Sequence, residues 1–476
     1  MRCALAAALL LAPLSSLGGL PPRYGGDLAV ALAAPPAELD PARAASPADL
    51  VAARALHATL VEVDASGALR PGLLAALPEP EPGGRAWLLR LAPGLRFHDG
   101  SPVTAADVAW SLARLLDPRV RSPHGWIALA IQGSDEVREG RAQALSGVQV
   151  LSELELRVAL DLPFPELPRA LAAIPSAVLP RSGAAEVGAG PFRLAGRAAD
   201  GSLRLAAFEG FHRGRAYADG VTLAGMDARR LARALARGEV DLAVRPEAPP
   251  GASARDLPAL TATYALVRGP HAEAVRRALE AVDRSELARL ATRGPATPLE
   301  GLLPPALLGA AAPATTPPPA APARTADGPR LALLVPASAG FPRAVSDRLQ
   351  VKLFDQGVRV AVEPLPPEAL AARLASGNFD LALLPVGFVA SSPSLAAVEA
   401  AFALGGAAAA RRALARIGSS APETAAAEVA RDVGAVPLFA SGLRASARPG
   451  LVGLAPAPDG GVDLGDLWTL PARDAR

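Results

Sequence analysis

Residues Trp87–Val108 read WLLRLAPGLRFHDGSPVTAADV, and three signals follow one another in that stretch. Trp87 to Leu91 is a short apolar run bounded by Pro93 and Gly94, which reads as a strand. Asp99-Gly100 marks a tight turn. Thr104 opens a helix, with Asp107 three residues on in an acidic version of the capping box. Val108, Leu112 and Leu115 continue at helical spacing, and Pro118 closes the pattern.

Working outward, strand and helix signals alternate along the chain, which argues for α/β architecture. Pro47 to Leu60 reads as a helix and Leu60 to Val63 as a strand. Val148 to Leu160 holds two strand-like runs about a turn at Ser152-Glu153. Gly188 to Leu194 is a glycine-rich turn that enters a strand, and Leu203 to Phe208 is another strand. Later, Leu331 to Val335 and Val358 to Val362 read as strands around a helix from Val345 to Phe354. One unit recurs. Leu231–Val244 reads LARALARGEVDLAV, and Leu370–Leu384 reads LAARLASGNFDLALL. Each is a helix, a terminating glycine, an aspartate and an apolar strand. The recurrence fits two lobes built on one plan. It equally fits the ordinary appearance of any helix-to-strand connection.

The chain has 476 residues, 51% hydrophobic, with a net charge of +2. That length allows two to four domains at roughly 100–200 residues each. The apolar content excludes a disordered chain. The single cysteine excludes an internal disulfide framework. The near balance of 48 basic and 46 acidic residues gives no electrostatic case for nucleic acid. Lys352 is the only lysine, and aromatics make up 4%.

Met1–Leu14 reads as an export signal: Arg2 in the n-region, an apolar stretch, then Ser15 to Gly18 at cleavage spacing. Cys3 precedes the apolar core, so a lipid anchor is not expected. The apolar stretch is shorter than the roughly 20 residues a span needs, and no later segment is expected to span. Gly309 to Asp327 is an Ala, Pro and Thr tract that cannot hold a regular helix and reads as a linker.

Chemistry-bearing motifs are missing. There is no phosphate-binding glycine loop, no His-Glu-x-x-His and no Gly-x-Ser-x-Gly, and the five histidines are scattered. No catalytic residue, metal ligand or cofactor is therefore assigned. His98-Asp99 reads as a polar turn between a strand and a helix.

The stretch from Leu69-Arg70-Pro71-Gly72 through Phe97-His98-Asp99-Gly100 to Thr104-Ala105-Ala106-Asp107-Val108 resembles the family 5 extracellular solute-binding proteins. These are the oligopeptide-, dipeptide- and nickel-binding components of ABC importers. Further matches follow in order: Leu39-Asp40-Pro41, Asp117-Pro118 with Ser122-Pro123, Gly188-Ala189-Gly190-Pro191-Phe192, Gly238-Glu239-Val240-Asp241, Val275 to Arg284, and Val436-Pro437-Leu438.

The resemblance implies a periplasmic-binding-protein-like (class II) α/β fold of two lobes, with an additional subdomain in the first. It divides the chain into a signal at 1–23 and a first-lobe core at 24–45, 165–262 and 440–476. The subdomain would be 46–164, and the second lobe 263–439 with the linker at 309–327. It implies a monomeric periplasmic protein that closes around a peptide or other small solute and delivers it to a membrane permease. Ligands in such folds sit beyond the carboxyl ends of strands. The ligand-binding candidates are therefore Arg245 and Glu247 after the first recurrent strand, and Phe388, Ser391 and Ser392 after the second. A solvated arginine competes as a reading of Arg245, and a core residue as a reading of Phe388. The signature motif itself reads as a turn and a helix cap.

The chain also departs from the pattern. Peptide-binding members carry a tryptophan and an aspartate in the loop after the second recurrent strand, and the aspartate can pair with a peptide's α-amino group. Here Pro385 to Ser394 has neither, and no histidine follows His271. A buried ammonium would lack its partner. A sugar, an opine-like compound or another small organic solute then fits as well as a peptide. The trimmed second half motivates an alternative: a non-transporting paralogue that acts as a sensor or chaperone-like module. An exported hydrolase is disfavoured by the missing motifs.

Overall fold

The structure, a computed structural model, describes residues 21–249, 253–309, 330–337, 341–457 and 460–470. Most of the expected export signal, and the linker from 310 onward, lie outside the described residues. Two mixed sheets carry two lobes. The first holds seven strands in the order Ala254–Asp256, Arg444–Ala447, Leu242–Arg245, Asp27–Leu32, Gly220–Gly225, Leu203–Ala207 and Phe192–Arg197. Asp27–Leu32 runs parallel to both neighbours, so Leu32, Val244 and Gly225 lie level near the carboxyl ends of their strands. The second holds six strands: Ala296–Pro298, Ala435–Ser441, Thr261–Val267, Leu381–Gly387, Arg330–Pro336 and Arg359–Leu365. Arg330–Pro336 is parallel to both of its neighbours. This is the two-lobed class II α/β fold.

The recurrent unit occupies equivalent places in the two sheets. Helices Ala228–Ala236 and Pro367–Ser376 lead to Gly238 and Gly377, both in the left-handed region at φ +68°. The strand that follows each has one parallel and one antiparallel neighbour. This arrangement favours the reading of two lobes on one plan.

The chain crosses between the sheets twice, from Asp256 to Thr261 and from Ser441 to Arg444. The crossings are joined where the Leu257 N–H donates to the Leu443 carbonyl at 2.8 Å. They leave the first sheet near Arg245, at the edge to which its parallel strands point.

A smaller layer lies between the first and second strands of the first sheet in sequence. Its helix Pro47–Leu56 is capped by Ser46 and stops earlier than the sequence pattern suggested. His57 is extended there, and its N–H closes onto the Ala53 carbonyl. The quoted stretch forms strand Ala86–Arg90 and helix Ala105–Arg114. The strand pairs with Glu155–Ala159, which pairs with Val148–Val150.

This layer and one face of the second sheet share a continuous core. Phe97, Leu112 and Trp126 belong to the same buried cluster as Tyr264, Phe388 and Leu395. The other face of the second sheet and the first sheet each have a core of their own. Helix Pro393–Leu414 runs through the shared core. Contrary to expectation, it is long and apolar enough to cross a membrane by length and composition. More than half of its apolar window is buried inside the protein, and Gly406 kinks it. Its apolar face is a core face.

Candidate functional site

The matched motifs hold the fold together. His98 of Phe-His-Asp-Gly reaches across to Gly188-Ala189-Gly190. Its main-chain N–H donates to the Gly188 carbonyl (2.8 Å), and its Nδ1 accepts the Gly188 N–H (3.2 Å). Because Nδ1 accepts, Nε2 carries the proton and donates to the Gly190 carbonyl (3.1 Å). Burial lowers the imidazole pKa to about 4, so this tautomer persists at neutral pH. Glycine is required on the other side of the junction. A Cβ at Gly188 would lie 1.9 Å from the Leu56 carbonyl oxygen, and one at Gly190 would lie 2.5 Å from the Leu56 carbonyl carbon.

Asp107 accepts the Thr104 N–H (2.9 Å) and the Arg181 N–H (3.2 Å), so the expected cap also anchors a distant loop. Asp40 of Leu-Asp-Pro pairs with Arg114 on the signature helix. Asp241 of Gly-Glu-Val-Asp accepts the Ala29 N–H (2.7 Å) on the neighbouring strand. None of these carboxylates is left over for a ligand.

The five candidate residues fall into two groups. Arg245 ends its strand with a part-buried guanidinium. One Nη donates to the Met226 carbonyl at 2.9 Å. Its Nε is buried and has no hydrogen-bond partner among the described residues. Glu247 follows at the base of the crossings, 3.8 Å from Arg293 on the second lobe.

Phe388, Ser391 and Ser392 face another way. Phe388 is 1% exposed, belongs to the shared core, and ties its loop to the Leu260 carbonyl (2.9 Å). Ser392 caps helix Pro393–Leu414, and its hydroxyl donates to Glu166 at 3.0 Å. The Ser391 hydroxyl is buried without a partner among the described residues.

Sequence reasoning missed Glu399, which is 3% exposed. Its carboxylate accepts the N–H groups of Val389 (3.1 Å) and Ala390 (3.0 Å). The loop that lacks its own acid thus holds one, turned inward onto its backbone. Beyond it, 3.9 Å away, stands Nδ1 of His124, whose Nε2 bonds the Ala44 carbonyl at 2.8 Å. The available signal was a single charge in an otherwise apolar run from Leu395 to Leu404. At the far end of the helix, Arg411 reaches Ser134 (2.6 Å) and Asp135 (3.0 Å). Among the described residues, no group of three or more His, Cys, Asp or Glu side chains could hold a metal ion.

Two α/β lobes, two joined crossings, and parallel strands that end beside those crossings define a two-lobed binding protein. The sequence profile of the bacterial extracellular solute-binding proteins, family 5 (middle region), matches residues 68–401. The chain belongs to that family.

Among curated proteins, the periplasmic murein peptide-binding protein MppA of Escherichia coli K12 is 32% identical over 133 residues. That match covers 27% of this chain and 24% of MppA, so about a quarter of the relative's length is spanned. A solved structure of the E. coli murein tripeptide binding protein MppA superposes with a TM-score of 0.74 at 19% identity. It covers 94% of this chain and 99% of the other. The unliganded open form of MppA gives 0.65, also at 19% identity, with 95% and 99% covered. AgaA from A. tumefaciens R10, in complex with agropinic acid, gives 0.69 at 18% identity, with 94% and 99% covered.

Proposed function

We propose that the chain is an exported, periplasmic solute-binding protein that captures a carboxylate-bearing organic solute between its lobes and delivers it to an ABC permease. It performs no chemistry; its named relatives are binding proteins. Arg245 carries the reading. It stands at the carboxyl end of a strand beside the crossings, and its buried Nε–H lacks a partner among the described residues. A buried donor of this kind favours an acceptor that arrives with the solute. The carboxylate of a peptide and that of an opine both qualify; AgaA, on the same fold, holds agropinic acid. An α-amino anchor is not supported: of the acids that meet the 385–394 loop, Glu399 is engaged by two amides and Glu166 by the Ser392 hydroxyl. The sheet membership supports a division into a first-lobe core, an inserted subdomain and a second lobe, with the chain changing sheet between Asp256 and Thr261 and between Ser441 and Arg444.

Isothermal titration of the mature protein against paired acids and methyl esters tests this reading. The acid of a binding pair should bind and its ester should not. Arg245→Ala should weaken the acid about tenfold or more, as loss of a charged hydrogen bond does. An ester that binds as tightly as its acid would sink the proposal.

The core shared between the subdomain layer and the second lobe favours one alternative, a non-transporting paralogue that stays closed. In that case small-angle scattering would detect no change of radius of gyration on adding any solute that binds.

A further inference from the structure

An open groove of about 580 Å³ runs along the outside of helix Ala228–Ala236, lined by Asp227, Ala228, Arg229, Arg230, Arg233 and Arg237. The sequence dictates this face. Leu231 and Ala234 turn inward and pack in one cluster with Ala31 and Ala243 of the first sheet. Arg229, Arg233 and Arg237 recur at every fourth residue, so they stack along one stripe, with Arg230 beside it. All four are exposed. At a rise of about 1.5 Å per residue, the stripe is about 12 Å long.

Within the groove, four guanidinium groups stand against one carboxylate. That carboxylate, Asp227, caps the helix by accepting the Arg230 N–H at 2.8 Å. Two further acids lie nearby. Glu239 pairs with Arg237 at 2.7 Å. Asp200, which the Arg230 charge reaches, accepts the N–H and the hydroxyl of Ser202 at 3.0 Å and 2.7 Å. Arg229, Arg230 and Arg233 form no ion pair among the described residues. Nor do they serve the helix. Its first turn holds no acid and carries Arg229 and Arg230, at the end where the helix dipole favours anions. Guanidinium forks match carboxylate and phosphate oxygens alike. A phosphate group, however, brings three acceptor oxygens and up to about two charges. Four cations within about 12 Å favour that multiply charged partner.

We infer that this groove binds phosphate-bearing anions, held by the forks of Arg229, Arg230 and Arg233 with Arg237 at one end. The binding needs neither Arg245 nor a closing cleft, so either reading can fail alone. Calorimetric titration of the mature protein with tripolyphosphate tests it, in about 150 mM sodium chloride, where long-range attraction is screened beyond about 8 Å. Saturable binding with a Kd below about 1 mM is expected. The double variant Arg229→Gln, Arg233→Gln should weaken it tenfold or more, with far-ultraviolet circular dichroism unchanged. Arg289→Gln with Arg343→Gln removes the same charge at exposed positions on the second lobe and should leave the affinity as it is. Cosedimentation with phosphatidylglycerol vesicles, against phosphatidylcholine vesicles, separates the two sources of phosphate. Pelleting that the groove variant loses assigns the anion to a lipid headgroup; no pelleting, with tripolyphosphate bound, assigns it to a soluble phosphate. Absence of saturable heat at millimolar tripolyphosphate would overturn the inference, as would equal weakening by the two double variants.

Discussion

Lowering the pH from 7 to 5 should weaken the fold through His57. This side chain is 2% exposed, and its Nε2 bonds the Leu39 carbonyl at 2.9 Å. Burial lowers its pKa from 6.5 to about 4, against a smaller upward effect of the Leu39 bond. Folded, it is neutral at both pH values. Unfolded, it takes up a proton as the pH falls through 6.5. The unfolded chain therefore binds more protons over this window, and stability must fall with pH. The full contribution is present above pH 6.5 and is lost progressively toward pH 4. Linkage with these two pKa values gives a loss of about 2 kcal/mol between pH 7 and pH 5 from His57 alone. Typical total stabilities are about 5–15 kcal/mol, so the effect is measurable. The assay is urea unfolding followed by the fluorescence of Trp87, Trp126 and Trp468, which are buried. His57→Gln keeps an N–H donor for Leu39 and removes the titration. Its unfolding midpoint should therefore fall less than the wild-type midpoint between pH 7 and pH 5. Identical pH dependence in the two proteins would show that His57 titrates alike folded and unfolded, and would refute the burial argument.

Gly188→Ala should destabilise the protein by about 1–3 kcal/mol, because its Cβ meets a backbone carbonyl that cannot yield, and calorimetry would read this as a lower Tm. Asp107→Ala frees the N–H groups of Thr104 and Arg181 and should cost about 1–2 kcal/mol in urea unfolding. Arg411→Ala removes the contacts to Ser134 and Asp135; small-angle scattering should then show a larger radius of gyration without ligand, while calorimetry finds a stability loss of about 1 kcal/mol.

Much of the fold was legible because the matched residues act locally or through backbone. Thr104 and Asp107 sit in one turn, and Asp99 closes its own turn on Ser101 at 2.9 Å. Gly238 and Gly377 mark helix ends by a conformation that other residues resist. The partners of His98 lie some 90 residues away, so its motif could be recognised but not its junction with Gly188 and Gly190. The loop after Leu381–Gly387 was the hardest to read. Its side chains carry no periodic signal, and what they face depends on helix Pro393–Leu414 packing against the Gly125–Ile127 turn. A Cβ at Gly125 would lie 2.9 Å from Phe402 on that helix. Arg245 became a candidate only because it follows a recurrent strand, and ligands in α/β folds sit beyond the carboxyl ends of strands. Glu399 was missed because a lone acid in an alanine-rich run looks like a solvated surface position until its amide partners are known.

That packing bears on how a solute could enter. In a hinged binding protein, a ligand shifts the open–closed balance only by its differential affinity for the two forms. Here several contacts tie the first-lobe side and the subdomain layer to the second lobe. Ser392 bonds Glu166, Arg411 bonds Asp135, and a buried core runs from Trp126 to Leu395. Contacts that favour closure before binding improve apparent affinity when the closed form is the competent one. They also slow association, because the solute must wait for the cleft to open. Arg411→Ala should therefore speed association, since opening becomes easier. It should speed dissociation as well, because the same contacts no longer hold the cleft shut. If closure were driven by the solute alone, the variant would leave both rates unchanged.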